Sequence, residues 1–290
     1  MTGQALAHAH VHPDPDADLQ LRAAIIRRCS LNDEAVASIC RLQELLSVRF
    51  SDATIRLGYA TQADIDSATG SAQVPAVREG QAVPAERLEL AHYPFHPRSE
   101  KIRLLRTELL LRHEATDNAN VLAVLSPCPA EGRSQLAAEL AIAFAQLGRP
   151  TLLVDADLRH SQQHVLFNAN NRQGLSQALA RGQKPQFQTV AGLPSLFLLT
   201  AGPPPLNPLE LLSDRRFEGL AGEWQQNFQF VVLDTPPVGL YADGLAVATI
   251  IGRVLSLSRA RYTPYKDTRD MMRRLAATQS RILGAVINHF

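Results

Sequence analysis

Residues 120–158 constrain this chain more than any other stretch: NVLAVLSPCPAEGRSQLAAELAIAFAQLGRPTLLVDADL. An apolar run from Val121 to Leu125 reads as a buried strand, and small residues follow as a loop. A helical pattern then runs from Gln135 to Leu147, with Leu136, Leu140, Phe144 and Leu147 on one face and Gly148 suited to end it. Thr151 to Val154 is a second apolar strand, delivering Asp155 and Asp157 at its C-terminal end. Two such strands joined through a helix form a parallel pair with a right-handed crossover. Further runs at 196–199, 230–233, 254–257 and 282–287, with a helical stretch at 267–278, continue the alternation. The expected fold is α/β: a doubly wound, mostly parallel sheet with helices on both faces.

The loop from Ser126 to Ser134 sits where a phosphate-binding loop would. That motif turns backbone N–H groups around phosphate oxygens at a helix N-terminus. Its lysine adds a point charge, and its Ser or Thr reaches magnesium. Gly132 and Ser134 are in place, whereas Pro127 replaces the first glycine of G-x-x-x-x-G-K-[ST] and Arg133 replaces the lysine. Asp234, in Asp234-Thr235-Pro236-Pro237, ends the strand at 230–233. Ligands of open α/β sheets bind beyond the carboxyl ends of strands. Three carboxylates arriving there beside a phosphate loop suggest a magnesium–nucleotide site.

Asp155-Ala156-Asp157-Leu158-Arg159, His164, Phe167 and Asn171-Arg172-Gln173-Gly174-Leu175-Ser176 resemble the bacterial protein-tyrosine kinases, and so do Gly202 to Leu212, Asp234 to Val238 and Asp243. The resemblance spans Ser99 to Asn288 and points to the chain-length-determinant kinases of that family, with a degenerate Walker A loop in place of P-G-E-G-K-[ST]. It implies a P-loop NTPase fold of MinD/ParA-like type, with ATP and Mg2+ as cofactors. Nucleotide contacts would come from Ala130, Glu131, Gly132, Arg133, Ser134 and Gln135, and magnesium ligands from Ser134, Asp157 and Asp234. Catalysis would fall to Asp155 as acceptor of the tyrosine proton, Asp157, and Arg133 bridging the β- and γ-phosphates. Glu100, Arg103 and Arg106 match the family's E-x-x-R-x-x-R, which in relatives builds a subunit ring; by spacing alone they are an exposed helix face with i,i+3 ion pairs. The implied partner is a membrane-anchored polysaccharide chain-length determinant that holds the chain, otherwise cytoplasmic, at the inner membrane. Ala130 adds a Cβ where relatives carry glycine, which matters if φ there is positive.

Elsewhere the chain is less informative. Residues 1–18, with His8, His10 and His12, read as a disordered tail. Residues 19–68 read as a small helical docking domain resembling the N-terminal domain of type II secretion ATPases. Residues 69–97 read as a linker, and residues 98–290 as the kinase-like domain, with Ser99 the expected N-cap of its first helix. Lysine plus arginine number 29 against 28 acidic residues, which offers no basic surface for nucleic acid. The cysteines, Cys29, Cys40 and Cys128, have no metal or disulfide spacing and suit a reducing compartment.

Three functions follow from these features. The aspartates support an ATP-dependent protein-tyrosine kinase of polysaccharide chain length and export. The altered loop supports a catalytically impaired relative serving as an oligomeric adaptor in the same machinery. A positioning ATPase of MinD/ParA type is disfavoured, because Ser126 to Ser134 contains no lysine and no membrane-binding helix follows Phe290. The family's tyrosine-rich tail is also absent, which leaves Tyr262 and Tyr265, flanking Pro264, as the expected internal acceptors.

Overall fold

The structure is a computed structural model. It describes residues 22–23, 25–26, 31, 33–46, 50–57, 59–60, 81–93, 96–111 and 120–289. The expected tail lies outside them. Two compact units are present, Met1–Ala72 and Gln73–Phe290.

The smaller unit contains α1 (Asp33–Leu46) and α2 (Phe50–Arg56). Ile25, Ile39, Phe50 and Ala53 bury together as its core. The Arg22 guanidinium covers the Phe50 ring at 4.8 Å.

The larger unit begins with α3 (Glu89–His92), α4 (Pro97–Leu111), β1 (Asn120–Leu125), α5 (Arg133–Ala145) and β2 (Thr151–Asp155). Next come α6 (Gln163–Leu166), α7 (Leu175–Arg181), β3 (Gln188–Val190), β4 (Leu193–Leu199), α8 (Pro208–Leu212) and α9 (Arg215–Asn227). It closes with β5 (Phe230–Asp234), α10 (Asp243–Ile251), β6 (Arg253–Arg259), α11 (Tyr265–Ala276) and β7 (Arg281–Asn288). The sheet order is β3-β4-β2-β5-β1-β6-β7, parallel throughout except for β3 against β4. This is the expected doubly wound architecture. Among the described residues no helix is long and apolar enough to cross a membrane.

Strand alternation sorts side chains between two cores. Val121, Ala123 and Leu125 of β1 join Val231 and Leu233 of β5 on the face covered by α9 and α10, where Phe217 and Trp224 meet edge to face. Leu122 and Val124 join Phe230 and Val232 on the face covered by α5, with Phe144 stacked on Phe230 at 4.4 Å. Helix α5 is buried almost all round rather than along one stripe, because α3 and α4 cover its other side. Leu147, expected on that stripe, is exposed: the helix ends at Ala145, and Gly148 terminates it at φ 72°.

Two local expectations change. Residues 81–92 of the expected linker belong to the larger unit. Ala82 N donates to Thr189 O, Ala191 N to Ala82 O and Val83 N to Phe167 O, and Leu88 and Leu90 are buried. These links run through backbone groups, which composition does not register. Ser99 does not cap α4. The helix starts at Pro97, whose missing N–H costs nothing there, and Ser99 lies buried in the first turn with its hydroxyl donating to Tyr93 O.

The end of β4 and the start of α7 come close through glycine. Leu175 N donates to Thr200 O and Ser176 N to Ala201 O, and a Cβ on Gly174 would overlap the Thr200 carbonyl and the Gly202 nitrogen. Gly174→Ala is expected to lose about 2–4 kcal/mol of unfolding free energy, measured by urea denaturation, because rigid backbone on both sides must move.

Candidate nucleotide site

Parallel register assembles the site. Asp155 and Asp234 are directly paired across β2 and β5, and Asp234 also faces Val124 at the end of β1. All three chain exits therefore open on one edge, with the loop 126–132 between β1 and α5.

That loop carries two left-handed residues, Gly132 at φ 90° and Ala130 at φ 56°. For alanine the conformation costs about 1–2 kcal/mol, so neighbouring structure must hold it. Ala130 O accepts from Arg259 Nη1 at 3.2 Å. Glu131, buried, accepts from Cys128 N at 2.7 Å and from the Thr263 hydroxyl, while its carbonyl takes Asn288 Nδ2 at 3.0 Å. The expected nucleotide contact Glu131 thus braces the loop against the β6–α11 connection and the end of β7. Gln135 is likewise engaged within the chain, its amide donating to Arg87 O at 2.9 Å and to Glu139.

The three aspartates have different surroundings. Asp155 is fully buried, and its oxygens accept from the amides of Asp157, Gln162 and Gln163 at 3.2, 3.1 and 2.9 Å. Burial, then the charge of Asp234, pushes its carboxyl well above the usual range. With amides on both oxygens, Asp155 shapes the loop after β2 and, unlike Asp157, does not line the cavity in front of it. Asp157 accepts from the amides of Arg159 and His160 at 3.2 and 2.9 Å and lines the open cavity. Asp234 Oδ2 accepts from Gln163 Nε2 at 2.8 Å; burial raises its carboxyl, while Arg133 and the Ser134 hydroxyl oppose the shift.

Arg133 does not reach outward as a phosphate bridge. Its side chain is only 8% exposed, with Nη1 donating to Ser126 Oγ at 2.8 Å. Nη2 lies 3.5 Å from Asp157 Oδ2 and Nε 3.6 Å from Asp234 Oδ1. The cavity in front, about 670 Å³, is lined by residues 129–135 and Asp157 and rimmed by Arg87, His160, Gln162, Pro237, Leu240 and Arg259. Apart from Pro237, quoted in the Asp234 motif, sequence reasoning did not single out these rim residues or Gln163, which also donates to Ser134 O at 2.9 Å. A lone glutamine or arginine carries no motif signal; only the segment Asp155 to Arg159 pointed near them.

Other expected residues lie away from the cavity. Asp243 heads α10 and pairs with Arg159 at 3.1 Å, whose guanidinium also covers Tyr241 at 4.4 Å. Asn171 and Ser176 bind Gly202 and Pro203, so the two motifs around them pack against each other. On α4, Arg103 pairs with Glu100, while Arg106 donates to Ala143 O at 2.8 Å, in the last turn of α5, where carbonyls lack intrahelical partners. Arg106 is thus engaged within the chain.

No protein-family model matches the chain. The tyrosine-protein kinase YwqD of Bacillus subtilis is 35% identical over 192 residues, covering 66% of this chain and 80% of that protein. The chain belongs to the bacterial tyrosine-protein kinases. The solved kinase domain of the Escherichia coli tyrosine kinase Etk is a fellow member, at 28% identity and TM-score 0.67 over 76% of this kinase and 85% of that chain. The cell-division ATPase MinD of Pyrococcus furiosus, at 21% identity and TM-score 0.51 over 59% of this chain and 72% of that one, shares the fold alone.

The loop packing can be read out at Cys128. Burial, with Glu131 and the Asp267 carboxylate beside it, pushes this thiol from 9.0 to about 11. At pH 8 a two-unit rise lowers the thiolate fraction about a hundredfold. Peptide mapping after iodoacetamide treatment should show Cys128 modified far more slowly in the folded kinase than in urea; equal rates would contradict this packing.

Proposed function

We propose that the chain is an ATP-dependent protein-tyrosine kinase, acting on itself or on a partner protein, in the regulation of exopolysaccharide or capsule chain length and export. The observation that carries this reading is the cavity of about 670 Å³ bounded by the loop, by the start of α5 and by Asp157. Amides of the first helical turn have no intrahelical acceptors and attract phosphate oxygens. The backbone at Gly132 would hold the β-phosphate there. The donors fit magnesium: a serine hydroxyl and strand-end carboxylates form the hard-oxygen set that this ion takes, and Asp234 Oδ1 is buried without a hydrogen-bond partner among the described residues. Ser134, Asp157 and Asp234 would hold the ion, which supplies charge neutralisation at the phosphates.

The tyrosine proton would pass to a strand-end aspartate, Asp155 or Asp157, of which Asp157 faces the cavity. Gln163 keeps Asp234 oriented, and the amides on Asp155 fix the turn that presents Asp157. Among candidate acceptors Tyr265 is 78% and Tyr262 47% exposed. The membrane-anchored chain-length determinant and the ring are proposed from the family resemblance. The exposed Glu100–Arg103 pair and the exposed Leu104 and Leu111 of α4 offer surface for such contacts.

One observation favours the adaptor reading: Arg133 is drawn into the aspartates rather than toward the cavity. Phosphoryl transfer depends on positioned charge, so a withdrawn cation slows it. Phosphotyrosine formation from labelled ATP, followed by mass spectrometry, separates the two. The kinase reading predicts slow incorporation, a loss of at least about 100-fold in Asp157→Asn and a gain of about tenfold or more in Arg133→Lys. No incorporation by the natural chain, with retained partner binding, would establish the adaptor.

A further inference from the structure

The donor set that fits magnesium already holds a cation. The Arg133 guanidinium touches the two carboxylates assigned to the metal, at 3.5 Å from Asp157 Oδ2 and 3.6 Å from Asp234 Oδ1, while its third nitrogen is fixed on Ser126 Oγ at 2.8 Å. Arg133 Nε and Asp234 Oδ1 are buried and have no hydrogen-bond partner among the described residues, so what joins them is charge. A magnesium ion needs those oxygens at about 2.0–2.1 Å, and both cations cannot occupy one gap. Arginine is suited to fill it: a planar fork reaches three acceptors at once, where a single ammonium is a compact point. Asp155 lies behind Asp157 and Asp234 and, among the described residues, only backbone amides bond it, so the positive charge at these aspartates comes from Arg133. A buried group of carboxylates requires compensation in every state of the protein.

We propose that Arg133 is a tethered stand-in for the divalent ion. In the nucleotide-free chain its guanidinium closes the seat between Asp157 and Asp234 to free metal, and the seat opens when a polyphosphate draws the guanidinium toward the cavity. The first half stands on the geometry alone; the second rests on the nucleotide-site reading given above.

Mn2+, which takes the same oxygen donors, is the probe, with free ion followed by electron paramagnetic resonance. Without nucleotide, the natural chain leaves Mn2+ free. Arg133→Gln takes it up at least about tenfold more tightly, and adding Asp157→Asn abolishes the gain. Arg133→Lys gains Mn2+ as well, which keeps the test available should the glutamine variant not fold. Uptake by the natural chain equal to that of the folded variants would overturn the proposal, as would no gain in either variant. With ADP added, the natural chain acquires Mn2+. If ADP has no effect while the variants still gain the ion, the closed seat stands and the nucleotide reading falls.

Discussion

Two buried aspartates bridged by one guanidinium, with a third aspartate behind them, are what the C-terminal edge of this sheet depends on. Parallel strands β2 and β5 bring Asp155 and Asp234 into direct register, and two residues later the chain presents Asp157. Left alone, buried carboxylates protonate or force the edge apart. Here the load is shared. Backbone amides solvate Asp155 and Asp157, Gln163 and Ser134 serve Asp234, and Arg133 supplies the positive charge. The substitution that looks like damage to a phosphate loop therefore also compensates buried charge.

The loop itself is held from outside. Ala130 keeps a left-handed backbone because Arg259 takes its carbonyl, and Glu131 ties the loop to Thr263 and Asn288 on the far side of β6 and β7. The C-terminal third of the domain therefore does more than complete a sheet. Its loop carries Tyr262, and Tyr265 heads α11, beside the bracing residues. The Arg259 guanidinium that holds Ala130 also covers the Tyr262 ring at 4.9 Å. Tyr262 and the loop at Ala130 are thus joined through one side chain.

How much of this was legible follows from what each signal measures. Continuous apolar runs report strands buried on both faces, so β1, β2 and β5 and their terminal aspartates could be read directly. The αL demand at position 130 was legible as a conditional, since only glycine meets it freely. Short antiparallel β3 has no such run, and residues 81–92 join partly through backbone pairs that leave no pattern in side-chain type. Asp155 was read as a base from its motif. Its burial depends on the turn at Gln162 and Gln163, which neither residue signals. The inward turn of Arg133 was likewise hidden, because a motif reports identity and spacing but not which of two anionic partners, phosphate or aspartate, wins the guanidinium.

That competition is the central claim, and calorimetric titration of Mg-ATP into the natural chain and into Arg133→Lys tests it most directly. If the guanidinium must leave Asp157 and Asp234 before metal and nucleotide enter, the lysine variant binds at least about tenfold more tightly. Equal affinities, or tighter binding by the natural chain, would mean that Arg133 does not hold the metal's place.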